Sequence, residues 1–150
     1  MPTNRIKGLR VFVIILLVLL VVQFEFGMAT TLSDPKPITP FAFSIPAISD
    51  ALNTVGFAAV FHATLGTLLT VFSLAALIMA LGTKIRTVQV FGVLGFLGVA
   101  LAATNGVLFT LSGFQEDGYS HGMATNFILT FGFYFLELYF LKPAGKTKTG

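Results

Sequence analysis

The sequence contains no cysteine and no tryptophan, and only 10% of its 150 residues are charged. Without cysteine the chain can form no disulfide, no thiolate metal site and no iron–sulfur cluster. Motifs of P-loop nucleotidases, GxSxG hydrolases and HExxH metalloproteases are absent too. About a quarter of the residues of a soluble domain are usually charged. The low charge, 55% hydrophobic residues and a mean hydropathy of +0.91 therefore indicate an integral membrane protein.

Four long apolar segments divide the chain, and each has nearly the roughly 20 residues that a membrane-spanning helix needs. We predict an all-α integral membrane protein, a four-transmembrane-helix bundle forming a single domain over residues 1–150. Its predicted helices cover about residues 9–28, 53–81, 88–111 and 122–141. We expect the first segment to be retained, because its apolar character continues beyond the usual length of a signal sequence. An outer loop at 29–52 contains four prolines, which disfavour a helix, and the tail at 143–150 is polar.

Basic residues predict the orientation of these helices. Short loops rich in Lys and Arg stay on the cytoplasmic side of a membrane, so we expect both termini to be cytoplasmic. The protein would then be a multi-pass protein of the plasma or inner membrane. Because the positive charges follow the topology, they indicate no nucleic-acid partner. Apart from Lys36, the basic residues form three clusters, which are Arg5, Lys7 and Arg10, then Lys84 and Arg86, then Lys142, Lys146 and Lys148.

Polar side chains within the predicted spans are candidate functional groups, because they are costly in a bilayer and usually face the bundle interior. His62 and His121 lie 22 and 21 residues from the basic residues that flank their helices on the inner side. At about 1.5 Å per residue, the two imidazoles lie at nearly the same height near the outer edge of the bilayer. Asn105 lies near that level, and Glu25 lies somewhat deeper. The outer half of the bundle therefore collects two histidines, an amide and a carboxylate.

His62 is followed four residues later by Gly66, which lies on the same helical face and leaves little side-chain bulk beside the imidazole. This pattern resembles the ligand helices of four-helix membrane b-type cytochromes and the haem-binding halves of haem A synthases. The resemblance implies that His62 and His121 are the axial ligands of haem b, with Gly66 and Asn105 beside the cofactor. It covers one helix and the number of spans. Those families often have more than one histidine pair, and His121 begins its helix.

Three functions remain open at this point. The first is electron transfer through haem b between an outer donor and a quinone or a larger complex. The second is an accessory subunit without chemistry, packed against other subunits of a respiratory, photosynthetic or oxidase complex. The third is a porphyrin-free copper, zinc or iron ion held by Glu25, His62 and His121, since such metals accept mixed imidazole and carboxylate ligands. Alternatively, His121 is an ordinary residue at a helix start, and His62 bonds to Asn105 or Glu25.

Two further features concern the third and fourth predicted helices. Small residues at positions 95, 98, 102 and 106 lie along one helical face. We expect them mainly to serve helix packing within the bundle, with close contact to a flat cofactor or to another subunit as the alternative. Glu137 is a carboxylate inside the fourth predicted span, with Asn126 and Thr130 on the same face. We interpret Glu137 mainly as the partner of an inner Lys or Arg, with a proton path or a quinone contact as the alternative.

Overall fold

The computed structural model describes residues 3–32 and 44–141, which form five helices. The helices are α1 (Thr3–Thr31), α2 (Ile45–Val55), α3 (Phe57–Leu81), α4 (Arg86–Leu111) and α5 (Asp117–Phe140). Four of them, all except α2, are long and apolar enough to cross a membrane. The all-helical class and the four long apolar helices are thus confirmed, although α1 and α5 begin ahead of their predicted starts. The predicted tail at 143–150 lies outside the described residues.

The four long helices form a ring in which α1 packs on α3, α3 on α4, α4 on α5, and α5 back on α1. Neighbours in this ring run antiparallel, because a turn at 82–85 joins α3 to α4 and a short loop at 112–116 joins α4 to α5. We call the end of the bundle that holds this first turn the turn end. Helix α2 packs against α3 and α4 at the opposite end, which we call the α2 end.

The expectation of a loop over 29–52 is wrong in its last part, where α2 begins. Pro46 lies in the first turn of α2, where a helix needs no backbone N–H donor. The Ser44 hydroxyl caps this turn by accepting a hydrogen bond of 3.2 Å from the backbone N–H of Ala47. On the inward face, Ala51 is fully buried in a cluster with Phe109 and Phe114. The middle of the predicted loop, at 33–43, lies outside the described residues.

Gly56 separates α2 from α3, so the predicted single helix over 53–81 is wrong at its start. Its backbone has φ +107° and ψ −169°, a combination open essentially to glycine alone. The chain therefore changes direction at this residue, and α2 leaves the axis of α3 to lie over the bundle.

The small residues of α4 pack against α5, as expected from the sequence. A Cβ atom added at Gly95 would lie 2.7 Å from Cε1 of Tyr134, and one added at Gly98 would overlap the hydroxyl of Thr130. Close approach of this kind is typical of helices that pack in membranes through small residues. Large apolar side chains such as Val18, Val71 and Leu101 remain exposed on the outside of the ring, which suits contact with lipid.

Candidate functional site

Gln23 on α1 and His62 on α3 form a hydrogen-bonded pair across the two helices. The His62 Nδ1 atom lies 3.0 Å from the backbone carbonyl oxygen of Gln23. Because a carbonyl oxygen can only accept, Nδ1 carries the proton and Nε2 is left as an acceptor. The Gln23 side-chain amide donates to Nε2 at 3.2 Å and to the backbone carbonyl oxygen of His62 at 3.0 Å. Both ring nitrogens of His62 are therefore already occupied.

The same contacts define the orientation of the Gln23 amide. Its NH₂ group must face the His62 carbonyl oxygen. In the flipped orientation the amide oxygen would face that carbonyl oxygen, with no hydrogen between the two acceptors. Both amide hydrogens are then used, and Gln23 Oε1 is buried without a hydrogen-bond partner. This arrangement leaves a free acceptor beside the histidine.

Each member of the pair lies against a glycine of the opposite helix. A Cβ atom added at Gly27 would lie 2.8 Å from Cε1 of His62, and one added at Gly66 would lie 3.0 Å from Nε2 of Gln23. The pattern of His62 and Gly66 on α3 thus matches Gln23 and Gly27 on α1 at the same spacing of four residues. Gly66 accommodates the glutamine side chain, which explains the pattern without a porphyrin.

Gln23 was missed in the sequence, where the candidate groups were ionisable residues, Asn105, Asn126 and Thr130. The signal that could have revealed it is its spacing from Gly27. Two antiparallel helices that each carry a polar residue and a glycine four residues apart can pair reciprocally, with each polar side chain facing the other helix's glycine.

A cavity of about 590 Å³ lies between the long helices at the α2 end. Its volume falls within the range of roughly 300–1,000 Å³ that is typical of small-molecule sites. Gln23, Gly27, His62 and Gly66 all line it, and Ile48 of α2 also contributes to its wall. Most of its remaining wall is apolar, with residues such as Leu20, Phe24, Leu69, Val99, Phe109 and Phe127. An apolar cavity with a few polar groups is the usual form of a binding site for a lipophilic molecule.

Two residues that line the cavity have buried side-chain oxygens without hydrogen-bond partners. The hydroxyls of Thr64, Thr67 and Thr70 each donate to the backbone carbonyl four residues earlier in α3, so their protons are already used. In contrast, Gln23 Oε1 and Thr130 Oγ1 are buried without hydrogen-bond partners, and both residues line the cavity. Neither oxygen is accessible in this structure, so a ligand in the cavity would reach the amide oxygen and the hydroxyl after their side chains turn toward it.

The other residues predicted for the site are not gathered around His62. His121 and Glu25 are exposed, and neither lines the cavity. Asn105 is half-buried against α5, where a Cβ atom added at Gly122 would lie 2.7 Å from its Nδ2 atom. Across residues 3–32 and 44–141, no group of three His, Cys, Asp or Glu side chains could hold a metal ion.

Binding of haem b would require His62 to make other contacts than those described here. An axial ligand needs a ring nitrogen with a free lone pair, whereas His62 Nε2 accepts the Gln23 amide. His121, the second predicted ligand, does not line the cavity that His62 faces. Two-sided ligation would require both histidines to change their surroundings.

Comparisons with protein-family models, with curated proteins and with solved structures gave no significant match.

Proposed function

We propose that this chain is an integral membrane protein that binds a lipophilic molecule carrying a hydroxyl group in the cavity at the α2 end. The observation that carries the proposal is the buried, unpartnered Gln23 Oε1 atom on an otherwise mainly apolar wall. A buried acceptor without a partner costs about 1–3 kcal/mol. A ligand hydroxyl that donates to this oxygen removes that cost.

The chemistry of the cavity narrows the ligand class further. A free amide oxygen selects a hydrogen-bond donor, so a hydroquinone or a long-chain alcohol suits it better than an oxidised quinone, whose two oxygens only accept. Apolar residues around the pair suit the hydrocarbon part of the same molecule. The His62 ring serves to hold the Gln23 amide in place, since it receives one amide hydrogen and its carbonyl receives the other.

The protein should bind a ligand with a free hydroxyl group more tightly than the methyl ether of the same ligand. We expect farnesol and a prenylated hydroquinone to raise the melting temperature of the detergent-solubilised protein. The methyl ethers of both, and the oxidised quinone, should bind at least about tenfold more weakly, since a lost hydrogen bond of about 1.4 kcal/mol corresponds to a factor of ten. If farnesol alone binds, the ligand is an alcohol, and if only the hydroquinone binds, the ligand is a quinol.

Variants test whether Gln23 is the acceptor. Gln23→Met should abolish the preference for the hydroxyl over the ether, because it removes the amide oxygen. The matched control is Gln89→Met, since Gln89 lies near the turn end and donates to the Leu81 carbonyl oxygen at 3.0 Å. Equal binding of hydroxyl and ether to the unmodified protein would contradict the proposal.

Haem b is a second proposal for the same cavity, because His62 lines its wall. Binding would require the Gln23 amide to leave His62 Nε2. An absorption spectrum of the same purified protein, prepared with adequate haem supply, separates the two proposals. A Soret band that is lost in His62→Leu would favour haem, whereas a colourless protein that binds farnesol would exclude it.

Association with subunits of a larger membrane complex stays a prediction.

We further propose that both termini are cytoplasmic, with the α2 end outside, because the two basic clusters that the structure describes, at 5–10 and 84–86, lie at the turn end. The natural absence of cysteine allows a clean labelling test. On intact cells, a membrane-impermeant maleimide should label Gly118→Cys at the start of α5. It should label Thr87→Cys at the start of α4 only after permeabilisation. Both positions are exposed, and the reverse labelling pattern would contradict this orientation.

A further inference from the structure

Three polar side chains of α5 form a second buried feature, separate from the Gln23 and His62 pair. Thr130, Tyr134 and Glu137 follow at spacings of four and three, which places them on one helical face. None of them is more than 1% exposed. Each faces a glycine of α4, since Cβ atoms added at Gly98, Gly95 and Gly92 would meet Thr130, Tyr134 and Glu137 respectively.

The Thr130 hydroxyl and both carboxyl oxygens of Glu137 lack hydrogen-bond partners. The Tyr134 hydroxyl makes no hydrogen bond of good geometry, although the buried Ser73 hydroxyl of α3 lies near it. The predicted pairing of Glu137 with an inner Lys or Arg is therefore not seen among the described residues. An ionised carboxylate without a partner is very costly in a low-dielectric interior, and a protonated carboxylic acid is far less so. A carboxyl group in these surroundings is a candidate carrier of a proton.

The surroundings of Glu137 differ on its two sides. Toward the turn end lie Leu9, Ala80, Val88 and Leu141, all at most 1% exposed, which form an apolar barrier. Toward the α2 end, Thr130 contributes to the wall of the cavity.

The charged groups of the neighbouring helices lie away from Glu137. At the turn end, the basic side chains are exposed except for Arg10, which is half-buried; they are Arg5, Lys7 and Arg10 of α1, Lys84 of the turn, and Arg86 of α4. Glu25 of α1 is exposed at the α2 end, and His62 of α3 is paired with Gln23. A proton on Glu137 thus has a polar route toward the cavity and an apolar barrier toward the turn end.

We propose that Glu137 is a proton-binding site in the core of the bundle and exchanges its proton with the cavity through Tyr134 and Thr130. These side chains do not bond to one another in this structure, so each exchange begins with side-chain rotations that bring the Glu137 carboxyl group, the Tyr134 hydroxyl and the Thr130 hydroxyl into hydrogen-bonding distance. The Glu137 O–H bond then breaks, and its proton passes to the Tyr134 oxygen. The Tyr134 proton passes to Thr130, and the Thr130 proton passes to water in the cavity. A proton from water returns to Glu137 by the same route, so every group is neutral before and after. The proposal does not depend on which ligand the cavity binds.

Infrared spectroscopy of the full-length protein in lipid nanodiscs tests whether Glu137 carries a proton. At neutral pH we expect the C=O band of a protonated carboxylic acid, with a shift in D₂O. The band should disappear in Glu137→Gln and should be unchanged in Glu25→Gln, which alters an exposed carboxylate of α1. If Glu137→Gln does not fold, Glu137→Asp gives the assignment, because it should move the band. The absence of any such band from the unmodified protein at neutral pH would overturn the proposal.

The rate of hydrogen–deuterium exchange of this band tests the route. We expect Tyr134→Phe to slow the exchange at least tenfold, since it removes the hydroxyl between Glu137 and Thr130. Tyr139→Phe is the matched control, because Tyr139 lies on the same helix and is 52% exposed. Equal exchange rates in the two tyrosine variants would overturn the route through Tyr134.

Discussion

Replacing Gly95 with leucine should prevent the chain from forming a stable monomer in detergent. A Cβ atom at this position would already lie 2.7 Å from Cε1 and 2.8 Å from Cζ of Tyr134. The Tyr134 ring cannot move aside, because it is fully buried in a close-packed interior. Overpacking by one or a few methyl groups costs about 1–3 kcal/mol, so Gly95→Ala should lower the melting temperature and Gly95→Leu should prevent folding. Size-exclusion chromatography and thermal unfolding measure both effects.

Gly132 provides the matched control for this experiment. It lies in α5, and a Cβ atom added there has no heavy atom within 4 Å. Gly132→Leu should therefore leave the monomer intact, and Gly132→Ala should leave the melting temperature unchanged or raise it, since alanine favours a helix over glycine. Similar losses at both glycines would mean that α4 and α5 do not pack through Gly95 and Tyr134.

Replacing His62 with leucine should destabilise the bundle, whereas the same substitution at His121 should have little effect. Loss of the imidazole leaves the Gln23 carbonyl oxygen without its donor and one Gln23 amide hydrogen without its acceptor. Leaving buried polar groups unpaired costs about 1–3 kcal/mol. His121 is exposed, so its removal leaves no buried polar group without a partner. Thermal unfolding of the two variants in the same detergent tests this difference between the only two histidines of the chain.

A double-mutant cycle isolates the contribution of the pair itself. Gln23→Leu and His62→Leu should each destabilise the protein, and the double variant should lose less than the sum of the two. We expect a coupling free energy of about 0.6–1.7 kcal/mol, the range for hydrogen bonds between membrane helices. A coupling free energy near zero would mean that the two side chains do not bond to each other.

The four long helices could be predicted from the sequence because a bilayer imposes a length and an apolar composition on each span. The start of α2 could not, since the prolines before it indicate a loop and Pro46 alone does not reveal that it opens a helix. A proline favours the first helical turn as readily as it interrupts a later one. The change of direction at Gly56 was missed for a related reason, because its backbone conformation has no hydropathy signal.

The candidate site could be predicted only in part. Counting residues along an axis gives the height of a side chain but not its rotation about the helix, so equal heights did not bring His121 to His62. Packing against the other helices decides that rotation, so the sequence of a single helix does not reveal it. His62 was identified from its cost in a bilayer, whereas Gln23 acquires its importance only when α1 and α3 lie side by side. The separation of Glu137 from the basic residues of α1, α4 and the turn between α3 and α4 likewise depends on apolar residues from several helices.

The backbone of Gly56 has a consequence for changing what the cavity accepts. The direction of α2 starts from a backbone conformation that residues with a side chain rarely adopt, and a Cβ atom there would meet no neighbour within 4 Å. Residue 56 is therefore restricted to glycine by its backbone conformation and not by contact with neighbouring atoms. Mutagenesis aimed at new ligands can vary the apolar wall broadly, while residue 56 should be held as glycine to keep α2 in place above it.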